Sequence, residues 1–309
     1  MNGILNVFKP KGISSYQTVK EVRNILNISK AGHTGTLDPS ASGVLLVCIG
    51  QATKIAEFLV GMKKHYQGEM ILGISTDSQD SEGKIIQKRE VGTDIDEKRI
   101  KDIFQKYEGT ISQIPPMFSA AHYKGERLYR LARKSIEVKR NPKKVRIYQL
   151  NLINFNQKVN PIVKFKVICS KGTYIRTLCN DIGDELGCGA YLSNLVRKRV
   201  GNFSIKDSLN LEELKKEKAL GKRYLISIDS ALEELNKITV KNEAIKTVLN
   251  GGVISSEQVV GIPEGRLRTR KNKFVKIFDV KCNLLSIGIS TKENGKNIFF
   301  KPVKVFKNY

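Results

Sequence analysis

Apolar positions along the chain follow two periods. Val19, Val22 and Leu26 recur at helical spacing behind two candidate N-caps, Ser14 and Ser15, predicting a helix after an opening loop. Val44 to Ile49 is an unbroken apolar run between Gly43 and Gly50, the pattern of a strand buried on both faces. Gln51 to Leu59 reads as helical, and Tyr66 to Gly73 as a strand followed by the acidic turn Asp77 to Gly83. Val163, Phe165, Val167 and Cys169 alternate with Lys164 and Lys166, so that strand has one dry and one wet face. After the turn Ser170-Lys171-Gly172, the residues Ile175, Leu178, Ile182 and Leu186 return to helical spacing, with Gly187 placed to end the helix.

From about residue 236 the pattern shortens to β-prone runs (Phe274 to Val280, Leu284 to Ile289, Ile298 to Phe306) separated by Gly, Asn and Lys turns. The expected fold class is α+β. A mixed or antiparallel sheet domain spans 1–235, and a small β-rich domain spans 236–309. No repeat or low-complexity linker marks the division, so the boundary is approximate.

Composition narrows the function. With 309 residues, 40% apolar and 27% charged, the chain is globular rather than disordered. No segment approaches the roughly 20 apolar residues of a membrane span, and the first dozen residues lack a signal-like apolar run. A soluble, cytoplasmic protein is expected. Five cysteines, odd in number and widely spread, fit reduced thiols. The net charge of +24 and pI near 9.8 call for a polyanionic partner, most simply nucleic acid. The densest stretch, Lys124 to Arg146, holds ten cations against two acids. It is too charged for a core element and reads as an arm closing on RNA phosphates rather than a merely solvated face.

Several chemistries find no motif. The cysteines lack close pairs, the three histidines share no spacing, and the Asp77 to Gly83 turn does not follow a calcium loop, so no metal is expected. The Gly-rich segment Ala31 to Gly43 lacks both Gly-Lys-Ser/Thr and Gly-x-Gly-x-x-Gly. What it offers is Asp38 before Pro39, a pairing that disfavours helical geometry at the aspartate and on its own is a common turn.

In its neighbourhood that aspartate gains meaning. GHTGTLDPSASGVLLVCIGQATK strongly resembles the signature of the TruB family of bacterial tRNA pseudouridine synthases. FKPKGISS, KHYQGEMILG, TDSQDSEG, IPPMFSA, CSKGTYIRTL and LGCGAYLSNLVRKRVG follow in the family's order, over about residues 3 to 235. The tail is similar to the small PUA-type RNA-binding domain that ends many members. The resemblance implies isomerisation of uridine 55 in the tRNA T arm, without cofactor or metal. It implies Asp38 as nucleophile, Arg176 as its counter-ion, and Tyr66 against the target uracil. Tyr174 and Leu195 would line the pocket, and His33 would fill the space the flipped base leaves. Asp77 and Asp80 would stand behind these as supporting carboxylates. Lys9, Arg130, Arg133 and Lys134 are expected on the RNA backbone, within a closing insertion over about 117–146. A second basic cluster (Arg266, Arg268, Arg270, Lys271, Lys273) would reach the rest of the tRNA. Phe118 stands where the family commonly has Tyr, and Ala121-His122 where Leu-Lys is frequent, which bears on RNA closure rather than on catalysis.

A monomer needing no protein partner is expected. Two rivals remain: a guide-dependent pseudouridine synthase of a ribonucleoprotein, which the basic insertion argues against, and a non-catalytic RNA-binding or tRNA-folding protein.

Overall fold

The apolar run after Gly43 forms a strand buried at every position, Ser42–Ile49, and the main sheet is built outward from it. The computed structural model describes residues 1–157, 160–216, 223–260, 274–293 and 297–307. In chain order the strands that matter are β1 (Gly3–Lys9), β2 (Ala31–His33), β3 (Ser42–Ile49), β4 (Lys64–Leu72), β5 (Ile74–Thr76), β6 (Ile85–Lys88) and β7 (Gly109–Gln113). They continue with β8 (His122–Tyr123), β9 (Glu126–Arg127), β10 (Lys143–Asn156), β11 (Ile162–Cys169), β12 (Ala190–Val200) and β13 (Phe203–Ser204). The principal helices are α1 (Ser15–Leu26), α2 (Ala56–Gly61), α3 (Glu97–Lys106), α4 (Leu128–Arg133) and α5 (Ile175–Glu185).

Among the described residues the main sheet has nine strands, in the order β1-β3-β12-β4-β11-β10-β7 with β2 and β13 at its side. It is mixed: β3 and β12 run parallel, and every other pairing is antiparallel. The alternation of β11 decides what each face meets. Val163, Phe165 and Val167 join Met70, Ile147 and Leu150 in a core closed by Ile100 and Phe104 of α3 and by Leu178 and Ile182 of α5. Each such side chain contributes about 1.5–3 kcal/mol on burial. Gly68 faces the Phe165 ring so closely that a Cβ there would sit 2.5 Å from it, which reserves the position for glycine. The opposite face of β10, β11 and β4 keeps its lysines and amides in solvent.

Several expectations shift in detail. Ser14 alone caps α1, in a reciprocal box with Gln17, while Ser15 lies inside the helix. The segment after Gly50 is a 3₁₀ turn to Ile55 and then the short α2, not one helix. The acidic turn joins the β5–β6 hairpin. Gly187 follows α5 with φ of 85°, the left-handed geometry that favours glycine. The basic stretch is not all arm: β8, β9 and α4 form the insertion, but Lys143, Lys144 and Arg146 belong to β10 and pair with β7.

A second, five-stranded sheet begins at β14 (Asn236–Thr239) and adds β15 (Ile254–Ser255), β16 (Phe274–Phe278), β17 (Leu284–Glu293) and β18 (Asn297–Val305). It does not hang free. Phe278, Leu284, Ile287 and Phe306 share one apolar cluster with Leu46, Ala52, Ile55, Leu59, Val200 and Phe203 of the larger region. Phe58 and Phe274 meet edge to face at 4.9 Å. The basic cluster Arg266 to Lys273 lies outside the described residues.

Candidate active site

The loop carrying Asp38 is fastened from several sides. Ser15 Oγ donates to the Leu37 carbonyl at 2.9 Å and accepts from the Leu37 N–H at 2.8 Å. The Gly12 N–H donates to the Pro39 carbonyl at 2.9 Å. Arg197 Nη2 donates to Gly35 O at 3.0 Å, Nη1 to Thr36 O at 3.4 Å, and Nε to Val44 O at 2.7 Å. Gly43, with φ of 110°, lets the chain pass directly against the Arg197 backbone, where a Cβ would collide with its carbonyl oxygen. A nucleophile on this loop has its backbone position set before any substrate arrives.

Arg176, only 5% exposed, then fixes the side chain. Its Nε lies 3.0 Å from Asp38 Oδ2, and its Nη1 lies 3.3 Å from Asp80 Oδ2. The same guanidinium donates to Ser78 O at 3.1 Å and to Phe118 O at 2.8 Å. One cation therefore ties the Asp38 loop, the acidic turn and the root of the basic insertion together. A planar fork of fixed charge suits this task, whereas a lysine would supply a single point charge. The Phe118 contact uses the backbone, so the departure from the family's tyrosine leaves it intact.

The two carboxylates on Arg176 differ in surroundings. Asp80 is buried and accepts from Ser78 Oγ and the Glu82 N–H. Asp38 remains 38% exposed, so it stays open to a ligand although protein surrounds it. Burial pushes the Asp38 carboxyl above its ordinary value; Arg176 pulls it down, Asp80 pushes it up, and Lys9 pulls it down. Asp77 plays no part beside Arg176. It is exposed and accepts from the Lys84 N–H as a turn residue.

Tyr66 stands on β4 next to this site, packed on the main core, with the charge of Arg197 close to its hydroxyl. Burial raises its ionisation above the ordinary value against the opposing charge of Arg197, so the resting group is a neutral phenol. His33 accepts a hydrogen bond at Nδ1 from the Gly35 N–H at 3.4 Å. Burial, Arg197 and the insertion's Arg127 all lower its basicity, which keeps the imidazole neutral at pH 7. Tyr174 caps α5, where the Gln113 side chain clamps its peptide, accepting from its N–H at 3.0 Å and donating to its carbonyl at 3.2 Å. Leu195 is buried in the core that supports Tyr66.

The expected backbone contacts divide. Arg130 and Arg133 are exposed on α4, and Arg133 lies 5.6 Å from the Tyr129 ring. Lys134 is exposed but paired with Glu126 at 3.1 Å. Lys9 is a correction: it is fully buried, and its ammonium donates to the carbonyls of Pro10 and Ile13 at 2.7 Å each. Burial brings it down to about 8 against the pull of Asp38. Its ammonium is committed to the turn behind Asp38 and is not presented to solvent. Among the described residues no group of His, Cys, Asp and Glu forms a metal site.

Arg197 and Gln113 are the supports that sequence reasoning missed. Arg197 sits in the run Leu195-Val196-Arg197-Lys198-Arg199, and nothing in the sequence separates it from two neighbours that are exposed. Alternation from Leu195 buries Arg197 and exposes Lys198, and a bulge between Arg197 and Arg199 turns Arg199 outward as well.

Residues 23–175 match the N-terminal domain of the TruB family pseudouridylate synthases, and 176–237 match the tRNA pseudouridylate synthase B C-terminal domain. The chain is 44% identical over 306 residues to the tRNA pseudouridine synthase B of Clostridium kluyveri, covering 99% of this chain and all of that one. It is 46% identical over 261 residues to that of Alkaliphilus oremlandii, covering 84% and 85%. Among solved structures, a chain of the archaeal box H/ACA sRNP Nop10–Cbf5 complex superposes with a TM-score of 0.72 at 26% identity, covering 99% of this chain and 86% of that one. No helix among the described residues is long and apolar enough to cross a membrane. On two family domains and near-full-length identity above 40%, this chain belongs to the TruB family of pseudouridylate synthases.

Proposed function

We propose that this protein converts uridine 55 in the tRNA T arm to pseudouridine, acting alone, with Asp38 as the covalent nucleophile. The observation that carries the reading is the pairing of Asp38 with buried Arg176 on a fastened loop, at the family's motif position. Relatives at 40–46% identity named tRNA pseudouridine synthase B support tRNA as the substrate.

The reaction cleaves the bond between N1 and the anomeric carbon, turns the uracil, joins the sugar to carbon 5 and releases the carbon 5 proton. Atoms are conserved, so no oxidant or energy donor enters. A carboxylate adding to the ring or to the sugar holds the detached half in place while the base turns. Arg176 keeps that carboxylate ionised where burial disfavours its charge, and it stabilises the same charge when Asp38 departs. Tyr66, with the charge of Arg197 beside its hydroxyl, offers a ring face to the extruded uracil; base stacking of this kind contributes about 1–3 kcal/mol. Its hydroxyl stands available to relay the carbon 5 proton. Neutral His33 occupies the gap left in the RNA stack without adding charge. The small C-terminal sheet, as a PUA-like RNA-binding unit, would hold tRNA outside the T arm.

A guide-dependent enzyme is the second reading, because the superposed solved chain comes from an H/ACA ribonucleoprotein. Purified protein and an unmodified tRNA transcript separate the two. Stoichiometric pseudouridine at position 55, with no added RNA or protein, is the expected result. Conversion only in the presence of a guide RNA, or at another position, would overturn the proposal.

A further inference from the structure

The face of the main sheet away from α3 and α5 is open; Lys164 pairs there with Glu69 at 3.1 Å, but most of its cations have no acidic partner among the described residues. Lys63, Arg146, Lys166, Lys198 and Arg199 are exposed there, and none makes an ion pair among the described residues. They come from four adjoining segments: the approach to β4, then β10, β11 and β12. At the centre is Tyr148, 40% exposed, with Lys63 Nζ 4.3 Å and the Arg146 guanidinium 5.5 Å from its ring. Beside it a hollow of about 210 Å³ is lined by His65, Gln67, Gln149, Asn151, Lys166 and Lys198. Burial and the charges of Arg199 and Lys63 lower the basicity of His65, leaving a neutral polar group among the cations.

A solvated face normally intersperses both signs of charge, and the ion pairs elsewhere on this protein show that arrangement. Here, apart from the Lys164–Glu69 pair, like charges are gathered over the sheet and separated by amides that can donate to phosphate oxygens. Holding five cations together costs repulsion that a polyanion would relieve. The cations lie spread across four neighbouring segments of an open surface, so it suits a sugar–phosphate backbone rather than a sequence.

We propose that this outer face of the catalytic sheet is a second RNA-binding surface, which holds the phosphate backbone of the substrate tRNA outside the arm that enters the Asp38 cleft. It rests on the reading of tRNA as substrate. The binding energy comes from counterion release, with a salt slope of about −0.7 to −0.9 per phosphate neutralised. An isolated stem-loop filling the cleft would not reach this face.

The test uses full-length protein carrying Lys166→Glu and Lys198→Glu together, measured on full tRNA and on the isolated T-arm stem-loop. The expected result is an affinity for full tRNA lowered about tenfold, with the salt slope reduced by about 1.4 to 1.8. Stem-loop affinity and its conversion rate should be unchanged. Lys98→Glu with Lys101→Glu on α3 makes the same change in net charge elsewhere and should leave the slope as in wild type. Unchanged binding of full tRNA overturns the proposal, as does equal weakening by both pairs. Failure of the wild type to convert the stem-loop would instead fault the functional reading.

Discussion

The Asp38 cleft and the basic insertion that opens at Phe118 both depend on charge, and they use it in opposite ways. In the cleft the cations are internal, and each is committed to particular acceptors: Arg176 to Asp38 and Asp80, Arg197 to the carbonyls of Gly35, Thr36 and Val44, Lys9 to those of Pro10 and Ile13. In the insertion, Leu128 and Leu131 anchor α4 while Arg130 and Arg133 point into solvent. Removing a buried cation strands its partners; removing an exposed one changes a sum. Cleft substitutions should therefore act individually and on rate, and insertion substitutions additively and on affinity.

Arg176→Ala should break that contrast most severely. It leaves buried Asp80 without its cation and sets two carboxylates facing each other. About 3 kcal/mol of stability should be lost, together with all detectable pseudouridine formation; chemical denaturation and nucleoside analysis check the two losses. Arg197→Lys keeps the charge near Tyr66 but removes the fork that holds the carbonyls of Gly35, Thr36 and Val44. We expect kcat to fall about a hundredfold through misplacement of Asp38 and Tyr66, with stem-loop affinity retained. An equal loss in affinity would mean that Arg197 serves the fold alone.

The acid side of the pH–rate profile sharpens the comparison. In the proposed mechanism the carboxylate is the active form, and its folded value is raised, so kcat should fall as pH drops through a value above the ordinary aspartate range. Asp80 contributes to that rise, so in Asp80→Asn the acid limb should move to lower pH. A limb that stays in place would separate Asp80 from the titration.

On the insertion, neutralising Arg130, Arg133 and Lys134 together should reduce the salt slope of RNA binding by about 2 and leave the rate on saturating RNA as it was. The smallest effect is expected for Glu126→Gln, which frees Lys134 from an exposed pair. Stability should change by less than about 1 kcal/mol, with RNA binding slightly tighter.

Periodicity made most of the catalytic sheet legible. Unbroken burial of Val44 to Ile49 and the alternation of Val163 to Cys169 are direct consequences of how many faces each strand covers. The pairing of Asp38 with Arg176 was legible through motif resemblance, since 138 positions separate the two and local chemistry cannot connect them. Lys9 and Arg197 were illegible because a buried cation looks like a surface one until the carbonyls that satisfy it are brought round it by distant chain. Asp80 and Asp77 were indistinguishable for a similar reason: three positions apart on one turn, only one points at Arg176. The boundary at 236 concealed how far the small sheet shares apolar core with the segment after Gly50.

The central claim is that an ionised Asp38, held by Arg176, forms the covalent bond. Its most direct measurement is single-turnover conversion of T-arm RNA by Asp38→Asn, with binding and thermal stability measured on the same preparation. The amide keeps the shape and loses the nucleophile. Because the folded carboxyl is raised, its ionised form costs stability at neutral pH, so the variant should melt at or above the wild-type temperature there, with the gain shrinking as acid protonates the wild type. RNA should bind as well as or better than to wild type, and no pseudouridine should form. Conversion at near wild-type rate by this folded, RNA-binding variant would contradict the account.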